Sequence, residues 1–319
     1  MSKVQDAFMG LAIGDALGVP FELVSRKTLA ENPVIDMVGF KAHNQPSGTW
    51  SDDASMTFCT AESLMNGFDV ELMGRNFLRW FDEGYWSARG VAFGSGGTTR
   101  KALSKIREGQ KAANAGSIEH KDSGNGSLMR ILPLAFYAKD FSIYDRYSIV
   151  ESASSITHRS PLARLCCFYY VEFAIGLLNG VPRSELYNSL QETITNFFLQ
   201  NIVSEDSIQV EDVEMLSRLL EGNIHDLPEE HIMSDSYVLH TLESSIWCLM
   251  TTDSYEEAVL KAVNLGGDSD STAAVTGGLA GILYGLNHVP SHWKTGLARH
   301  DDIVDLCNRF EESLLFTVL

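Results

Sequence analysis

The sequence predicts an all-α fold, and three observations support that prediction. Apolar residues recur at helical spacing along the chain; the first periodic segment, 4–18, places Val4, Phe8, Leu11 and Leu17 on one face. Alternation of the kind that marks β-strands is almost absent, and PVIDMVGF at 33–40 is the best short candidate. Several of the periodic segments also end at glycine, which is common where a helix stops.

Helical periodicity continues through the rest of the chain. Apart from segment 4–18, we expect helices at 55–67, 70–84, 98–109, 148–158, 161–180, 183–200, 234–250, 254–267 and 301–316. About ten or more helices are therefore predicted. No shift in composition marks a boundary, so a single domain over residues 1–319 is expected.

Composition excludes several classes of function. The net charge of −18 argues against a protein that binds the phosphate backbone of nucleic acids, because such proteins need a basic surface. The five cysteines are odd in number and form no CxxC pair, which favours buried thiols in a reducing compartment. Segment 1–18 contains two aspartates, unlike the core of a signal peptide. The uncharged run 271–293 is too rich in glycine and too broken for a convincing membrane span, so a cytoplasmic protein without a membrane partner is expected.

Two acidic stretches each stand at the start of a helical segment. The first is Ser51, Asp52 and Asp53. Its simplest interpretation is helix capping, which needs only one such residue, whereas three follow in a row. The second is the stretch 266–278, GGDSDSTAAVTGG, where acids and hydroxyls precede a tract of small residues. Capping is the competing interpretation here as well.

Taken together, the two stretches favour a metal site. Each offers two carboxylates and a neighbouring hydroxyl, and such hard oxygen ligands suit Mg²⁺, Mn²⁺ or Ca²⁺. Four converging carboxylates would repel one another without a cation, and two divalent ions match the ligand count better than one. An EF-hand starting at Asp268 is excluded by Ala273 and Leu279, and an all-α prenyl-diphosphate enzyme is excluded by Met56.

Six motifs in order resemble the ADP-ribosylglycohydrolase family, which includes the dinitrogenase reductase-activating glycohydrolase. The resemblance covers nearly the whole chain, and its motifs are GLAIGDALGVPFE (10–22), WSDDASMT (50–57), GSGGTTRKAL (94–103), SGNGSLMRILPLA (123–135), THRSPLA (157–163) and LGGDSDSTAAVTGGLAGILYG (265–285). It implies a compact orthogonal bundle of helices with a binuclear Mg²⁺ or Mn²⁺ centre in a cleft. The activity implied is hydrolysis of the bond between C1″ of the distal ribose and an ADP-ribosylated protein or small-molecule acceptor.

The resemblance also implies a role for individual residues of this sequence. Catalysis would involve Glu22, Asp53 and Asp270. The implied metal ligands are Ser51, Asp52, Asp53, Asp268, Asp270 and Ser271. The implied substrate contacts are Gly94, Gly96, Gly97, Ser123, Gly124, Asn125, Gly126 and His158.

The chain departs from the family pattern at two places. Ala54 replaces a hydroxyl residue after the first acid pair, and Ser269 and Ser271 replace threonines. At 94–99 the chain reads GSGGTT, where arginine-directed bacterial members often carry an acid that can receive a guanidinium. The acceptor, arginine, serine or another group, therefore stays open. The alternative function is a catalytically silent relative that acts as a binding, structural or toxin-immunity protein.

Overall fold

The computed structural model describes residues 1–201 and 208–315. Within them it contains sixteen α-helices and no β-strand, which confirms the all-α prediction. The helices are α1 (Lys3–Gly18), α2 (Arg26–Glu31), α3 (Asp52–Leu64), α4 (Val70–Glu83), α5 (Gly97–Arg107), α6 (Pro133–Tyr137), α7 (Ile143–Ser155), α8 (Pro161–Leu178), α9 (Arg183–Asn201), α10 (Val210–Glu214), α11 (Ser217–Leu220), α12 (Val238–Met250), α13 (Tyr255–Asn264), α14 (Ser269–Tyr284), α15 (Ser291–Thr295) and α16 (His300–Leu314). Short 3₁₀ helices lie at Val19–Phe21, Ala112–Asn114, His120–Asp122, Leu128–Arg130, Ile224–Asp226 and Glu229–His231.

The predicted helices are present, with shifts at some ends. The helix predicted at 148–158 begins earlier and ends at Ser155, so His158 lies in the connection to α8. The helix predicted from residue 234 begins only at Val238. The final predicted residue of the last helix, residue 316, lies outside the described residues.

The strand candidate at 33–40 was wrong, because this segment is irregular. Its backbone is satisfied by a side chain instead of a neighbouring strand. The amide group of Asn264 accepts from the N–H of Val34 at 2.8 Å and donates to the Val34 carbonyl at 2.9 Å. Val34 is the one fully buried side chain of the segment, while Ile35 and Phe40 are exposed.

Helices α1 and α14 pack with their backbones in direct contact, although they lie at opposite ends of the chain. A Cβ added at Gly14 would lie 2.1 Å from the carbonyl oxygen of Ala273, and one added at Gly277 would lie 2.4 Å from the oxygen of Gly10. Only glycine permits such an approach. The small residues of segment 266–278 therefore let α14 lie against α1 in the centre of the fold.

The contact between α1 and α14 ends at the last residue of α1, which lies beside the acidic first turn of α14. A Cβ at Gly18, the last residue of α1, would lie 2.4 Å from the Cα of Asp270. The hydroxyl of Ser269 also donates to the carbonyl of Gly18 at 3.0 Å. The end of α1 thus fixes the position of the first turn of α14.

Helix α8 forms much of the remaining core. By length and composition it could cross a membrane, but 83% of it is buried inside the protein, as in a core helix. It packs against α7, α9, α12 and α14. All five cysteines are buried and carry free thiols, as the sequence predicted.

Substituting Gly14→Ala should destabilise the protein although alanine is the better helix former. The gain in helix propensity is about 1 kcal/mol, whereas a methyl group 2.1 Å from a backbone oxygen forces α1 and α14 apart. We expect a net loss of about 1–3 kcal/mol in the free energy of unfolding, measured by chemical denaturation. The matched control is Gly97→Ala, where an added Cβ meets nothing within 4 Å. Equal stability of the two variants would contradict the proposed backbone contact.

Candidate metal centre

The first acidic stretch both caps α3 and presents acids to a cleft. Ser51 is the N-cap residue; its hydroxyl accepts from the N–H of Asp53 at 3.3 Å and donates to Asp53 Oδ2 at 2.7 Å. The helix start is capped a second time from α1, because the carboxylate of Asp15 accepts the N–H groups of Ser51 and Ala54, each at 2.9 Å. Helix capping therefore explains why a hydroxyl residue stands at position 51. It does not involve Oδ1 of Asp53, which makes no hydrogen bond within the described residues.

The second stretch does not use its first acid as a cap. Gly266 and Gly267 have positive φ values of 70° and 68°, and they turn the chain into Asp268, the N-cap position of α14. The side chain of Asp268 makes no capping hydrogen bond to the helix. Instead its Oδ2 accepts from the amide of Asn125 at 2.6 Å. The capping interpretation therefore fails for Asp268.

The two stretches meet in space, although 215 residues separate Asp53 from Asp268. Carboxylate oxygens of Asp15, Asp53 and Asp270 lie within 4.8 Å of one another, and all three residues are buried. The Oδ1 atoms of Asp53 and Asp270 have no hydrogen-bond partner among the described residues. Buried polar atoms without partners are costly, so their convergence calls for a group that is not part of the chain.

The pKa values of the clustered aspartates also indicate a site for a cation. Burial raises the pKa of Asp15 to about 7. Burial, together with repulsion from the neighbouring carboxylates, raises the pKa values of Asp52, Asp53 and Asp270 well above their usual range. Burial and this repulsion both favour the protonated forms of these groups when no cation is bound. A divalent cation bound by oxygen ligands would take the place of those protons, so the donor set fits such an ion.

Asp15 belongs to this cluster and the sequence interpretation missed it. It lies within an apolar helical segment, where it looked like an interruption of the hydrophobic pattern. Its partners, Ser51 and Ala54, are 36 and 39 residues away in sequence. The available signal was an acid in the otherwise uncharged run from residue 7 to 21.

Glu22 lies at the cleft beside a second residue that was missed. Its carboxylate contacts the Nε2 atom of His43, and both side chains are partly exposed. This hydrogen bond is the main reason that the pKa of His43 is raised. Atoms of Glu22, His43 and Asp270 lie within 4.8 Å of one another, which places Glu22 next to the acidic cluster.

A cavity of about 410 Å³ opens over the acidic cluster. Most of the residues implied by the family resemblance line it, namely Glu22, Asp52, Asp53, Gly94, Gly96, Gly97, Gly124, Asn125, Gly126, Asp268, Asp270 and Ser271. The structure thus brings together loops from five parts of the sequence.

Three implied residues do not line this cavity. Ser51 bonds to Asp53, as described above. The hydroxyl of Ser123 lies 2.7 Å from that of Ser160. His158 is 2% exposed and lies behind the loop 123–127. Direct contact of these three residues with a metal or a ligand stays a prediction.

The surroundings of Gly94 explain why the segment 94–99 has no acid at its first residue. The φ of Gly94 is +90°, and an added Cβ would lie 2.2 Å from Oδ1 of Asp52. Any side chain here would be strained and would displace the carboxylate of Asp52. The absence of an acid at 94 is therefore tied to the position of Asp52.

Comparisons with known proteins find relatives along nearly the whole chain. The family model described as ADP-ribosylglycohydrolase matches residues 1–316. The chain is 31% identical over 313 residues to an ADP-ribosylarginine hydrolase Tri1 of Serratia proteamaculans (strain 568), covering 97% of this chain and 79% of that protein. It is 26% identical to the ADP-ribosyl-[dinitrogen reductase] glycohydrolase of Rhodospirillum rubrum, covering 91% and 88%. A solved ADP-ribosylglycohydrolase-related protein complex superposes with a TM-score of 0.79 at 30% identity, covering 98% of both chains.

Substituting Gly94→Ala should weaken binding of Mn²⁺ by about tenfold or more, because the added methyl displaces Asp52. Isothermal titration calorimetry with MnCl₂ measures the affinity. Gly96→Ala is the matched control, since its φ is −67° and an added Cβ meets nothing within 4 Å. The placement of Asp52 in the site is contradicted if both variants bind Mn²⁺ as the unsubstituted protein does.

Proposed function

The chain belongs to the ADP-ribosylglycohydrolase family, and from this we propose that it is a metal-dependent enzyme that releases ADP-ribose from ADP-ribosylated acceptors. The single observation that carries the metal dependence is the convergence of Asp53 and Asp270, each with a buried and unpartnered oxygen, at the floor of the cavity. A catalytically silent protein gains nothing from this arrangement, because the buried carboxylates repel one another.

We propose two divalent cations, Mg²⁺ or Mn²⁺, as the cofactor. Their ligands would come from Asp52, Asp53, Asp268 and Asp270, with hydroxyls from Ser51 and Ser271. When bound, such cations supply Lewis-acid polarisation of oxygen atoms of the substrate and of water. Asp15 stays outside the ligand set in this proposal, because its two oxygens already accept N–H groups of the α3 start.

The reaction adds water across the bond between C1″ and the acceptor. The oxygen of water joins C1″, the bond to the acceptor breaks, and a proton passes to the leaving acceptor. Carboxylates on the cavity floor favour the positive charge that develops at C1″. Glu22 is the group proposed to take the proton of the attacking water, because it lines the cavity and is more exposed than the aspartates.

His43 supports that role of Glu22. A side chain that can rotate freely is a poor general base, because the proton transfer needs a fixed position. The contact with His43 holds one carboxylate oxygen of Glu22 in place. The other oxygen of Glu22 is then the one available to the reacting water.

We propose arginine as the acceptor. A relative that is 31% identical over most of its length is an ADP-ribosylarginine hydrolase, and so is a second relative at 31% from Pseudomonas putida (strain GB-1). Gly94 offers no carboxylate to a guanidinium, but Asp122 and Asp235 line other parts of the same cavity. Carboxylates are the preferred partners of a guanidinium.

Release of free ADP-ribose tests the proposal. We expect release from an arginine-ADP-ribosylated protein in Mg²⁺ or Mn²⁺, little release from a serine-ADP-ribosylated peptide, and none in EDTA. Asp270→Ala should lower the rate at least about 100-fold, since loss of a direct ligand costs more than loss of an outer-shell partner. Asp140→Ala, which removes an exposed carboxylate that does not line the cavity, is the control and should retain full activity.

Different results would contradict the metal mechanism, the arginine acceptor and the enzyme activity. Release that persists in EDTA and in Asp270→Ala contradicts the metal mechanism. Release from serine but not arginine contradicts the acceptor. No release from either substrate in any metal contradicts the enzyme and favours a catalytically silent protein.

A further inference from the structure

A buried guanidinium lies behind the loop 123–127, and it has no carboxylate partner among the described residues. Arg130 is 1% exposed. Its Nη1 donates to the carbonyl of Gly126 at 3.1 Å and to the hydroxyl of Thr157 at 2.8 Å. Its Nη2 donates to the carbonyl of Ala153 at 3.1 Å, and the ring of Phe77 lies 4.3 Å away. Burial lowers the pKa of Arg130 only to about 9, so it remains a cation at neutral pH.

The hydroxyl of Thr157 lies between this guanidinium and the imidazole ring of His158 and contacts both. Its Oγ1 atom lies 2.9 Å from Nδ1 of His158 and already accepts a hydrogen bond from Arg130. If Nδ1 carried a proton, Thr157 would have to accept twice, and its own proton would have no other acceptor among the described residues. Thr157 is fully buried, so an unsatisfied hydroxyl proton there is costly. The hydroxyl therefore donates to Nδ1, and the proton of the neutral imidazole is on Nε2.

The doubly protonated form of His158 is disfavoured by the same surroundings. Burial and the positive charge of Arg130 together lower the pKa of His158 to about 3. The opposing influence of Asp122 is smaller. The ring is therefore neutral at physiological pH, and its tautomer decides which edge donates.

The Nε2 edge of the ring faces two glycines of the cavity wall. A Cβ at Gly124 would lie 3.5 Å from Nε2, and one at Gly126 would lie 2.7 Å from Cε1 and 3.4 Å from Nε2. Both glycines line the cavity over the acidic cluster. The hydrogen bonds of the described residues include none to Nε2, and His158 is 2% exposed. An unpartnered donor thus lies directly behind the part of the wall that has no side chains.

We propose that Arg130 and Thr157 are positioning residues that fix His158 as its neutral Nε2–H tautomer, so that this N–H is turned towards Gly124 and Gly126. Contact of His158 with the ligand is what the family resemblance implies, and the contacts of Arg130 and Thr157 add the assignment of its tautomer. The identity of the ligand, ADP-ribose, rests on the proposed function. The tautomer rests on the contacts of Thr157 alone. Arg130 acts through Thr157, whose hydroxyl it holds in the role of donor towards His158.

The tautomer is measured by nitrogen-15 NMR of the full chain labelled at its nine histidines. The signals of His158 are assigned by their loss in His158→Gln. We expect Nδ1 to resonate as an unprotonated ring nitrogen and Nε2 as a protonated one, with no change between pH 8 and pH 5.5. A protonated Nδ1, or an equal mixture of the tautomers, overturns the proposal. This result does not depend on any enzymatic activity.

The positioning role is measured with two variants of Thr157. Thr157→Val keeps the shape but removes the hydroxyl, so His158 should become a mixture of tautomers and ADP-ribose should bind about fivefold more weakly by calorimetry. Thr157→Ser keeps the hydroxyl and should restore both the single tautomer and the affinity to within about twofold. Thermal melting shows whether each variant is folded.

The outcomes separate this inference from the proposed function. Equal tautomer ratios and affinities in the Val and Ser variants overturn the positioning role. ADP-ribose that fails to bind the unsubstituted protein overturns the ligand assignment and the proposed function together, while the NMR spectrum still decides the tautomer.

Discussion

The repulsion among buried aspartates at the starts of α3 and α14 is the constraint on which the rest of the site depends. Asp52, Asp53 and Asp270 are buried beneath the cavity, and burial raises the pKa of each. A fold gains no stability from placing like charges together, so the arrangement is explained by what it can bind. A divalent cation is the ligand that relieves this repulsion most directly.

Helix packing holds this unfavourable arrangement in place. Glycines let α1 and α14 touch along their backbones, which fixes the first turn of α14 against the last residue of α1. From the same helix, Asp15 caps the start of α3 through Ser51 and Ala54. One buried helix therefore positions both halves of the site, and neither half can move away from the other without breaking contacts with α1.

The sequence was informative wherever local pattern determined structure. Helical periodicity located ten of the sixteen helices in the described residues, and the two acidic stretches located four carboxylates of the cleft. It was uninformative where a contact joins distant segments. Asp15 and His43 are single polar residues whose partners lie 21 to 39 residues away, and the network of Arg130, Thr157 and His158 depends on how a loop covers a helix end. At 33–40 the side-chain amide of Asn264 bonds the backbone of Val34 in place of a neighbouring strand. Alternation of apolar and polar residues does not predict such a contact.

Anomalous scattering from crystals of the protein loaded with Mn²⁺ locates the bound cations directly. We expect manganese between the starts of α3 and α14, with oxygens of Asp53 and Asp270 about 2.0–2.2 Å from the ions, the range for small divalent cations bound by oxygen. Manganese found only elsewhere on the protein, or none bound while both Oδ1 atoms stay unpartnered, would contradict the claim that these helix starts form one cation site.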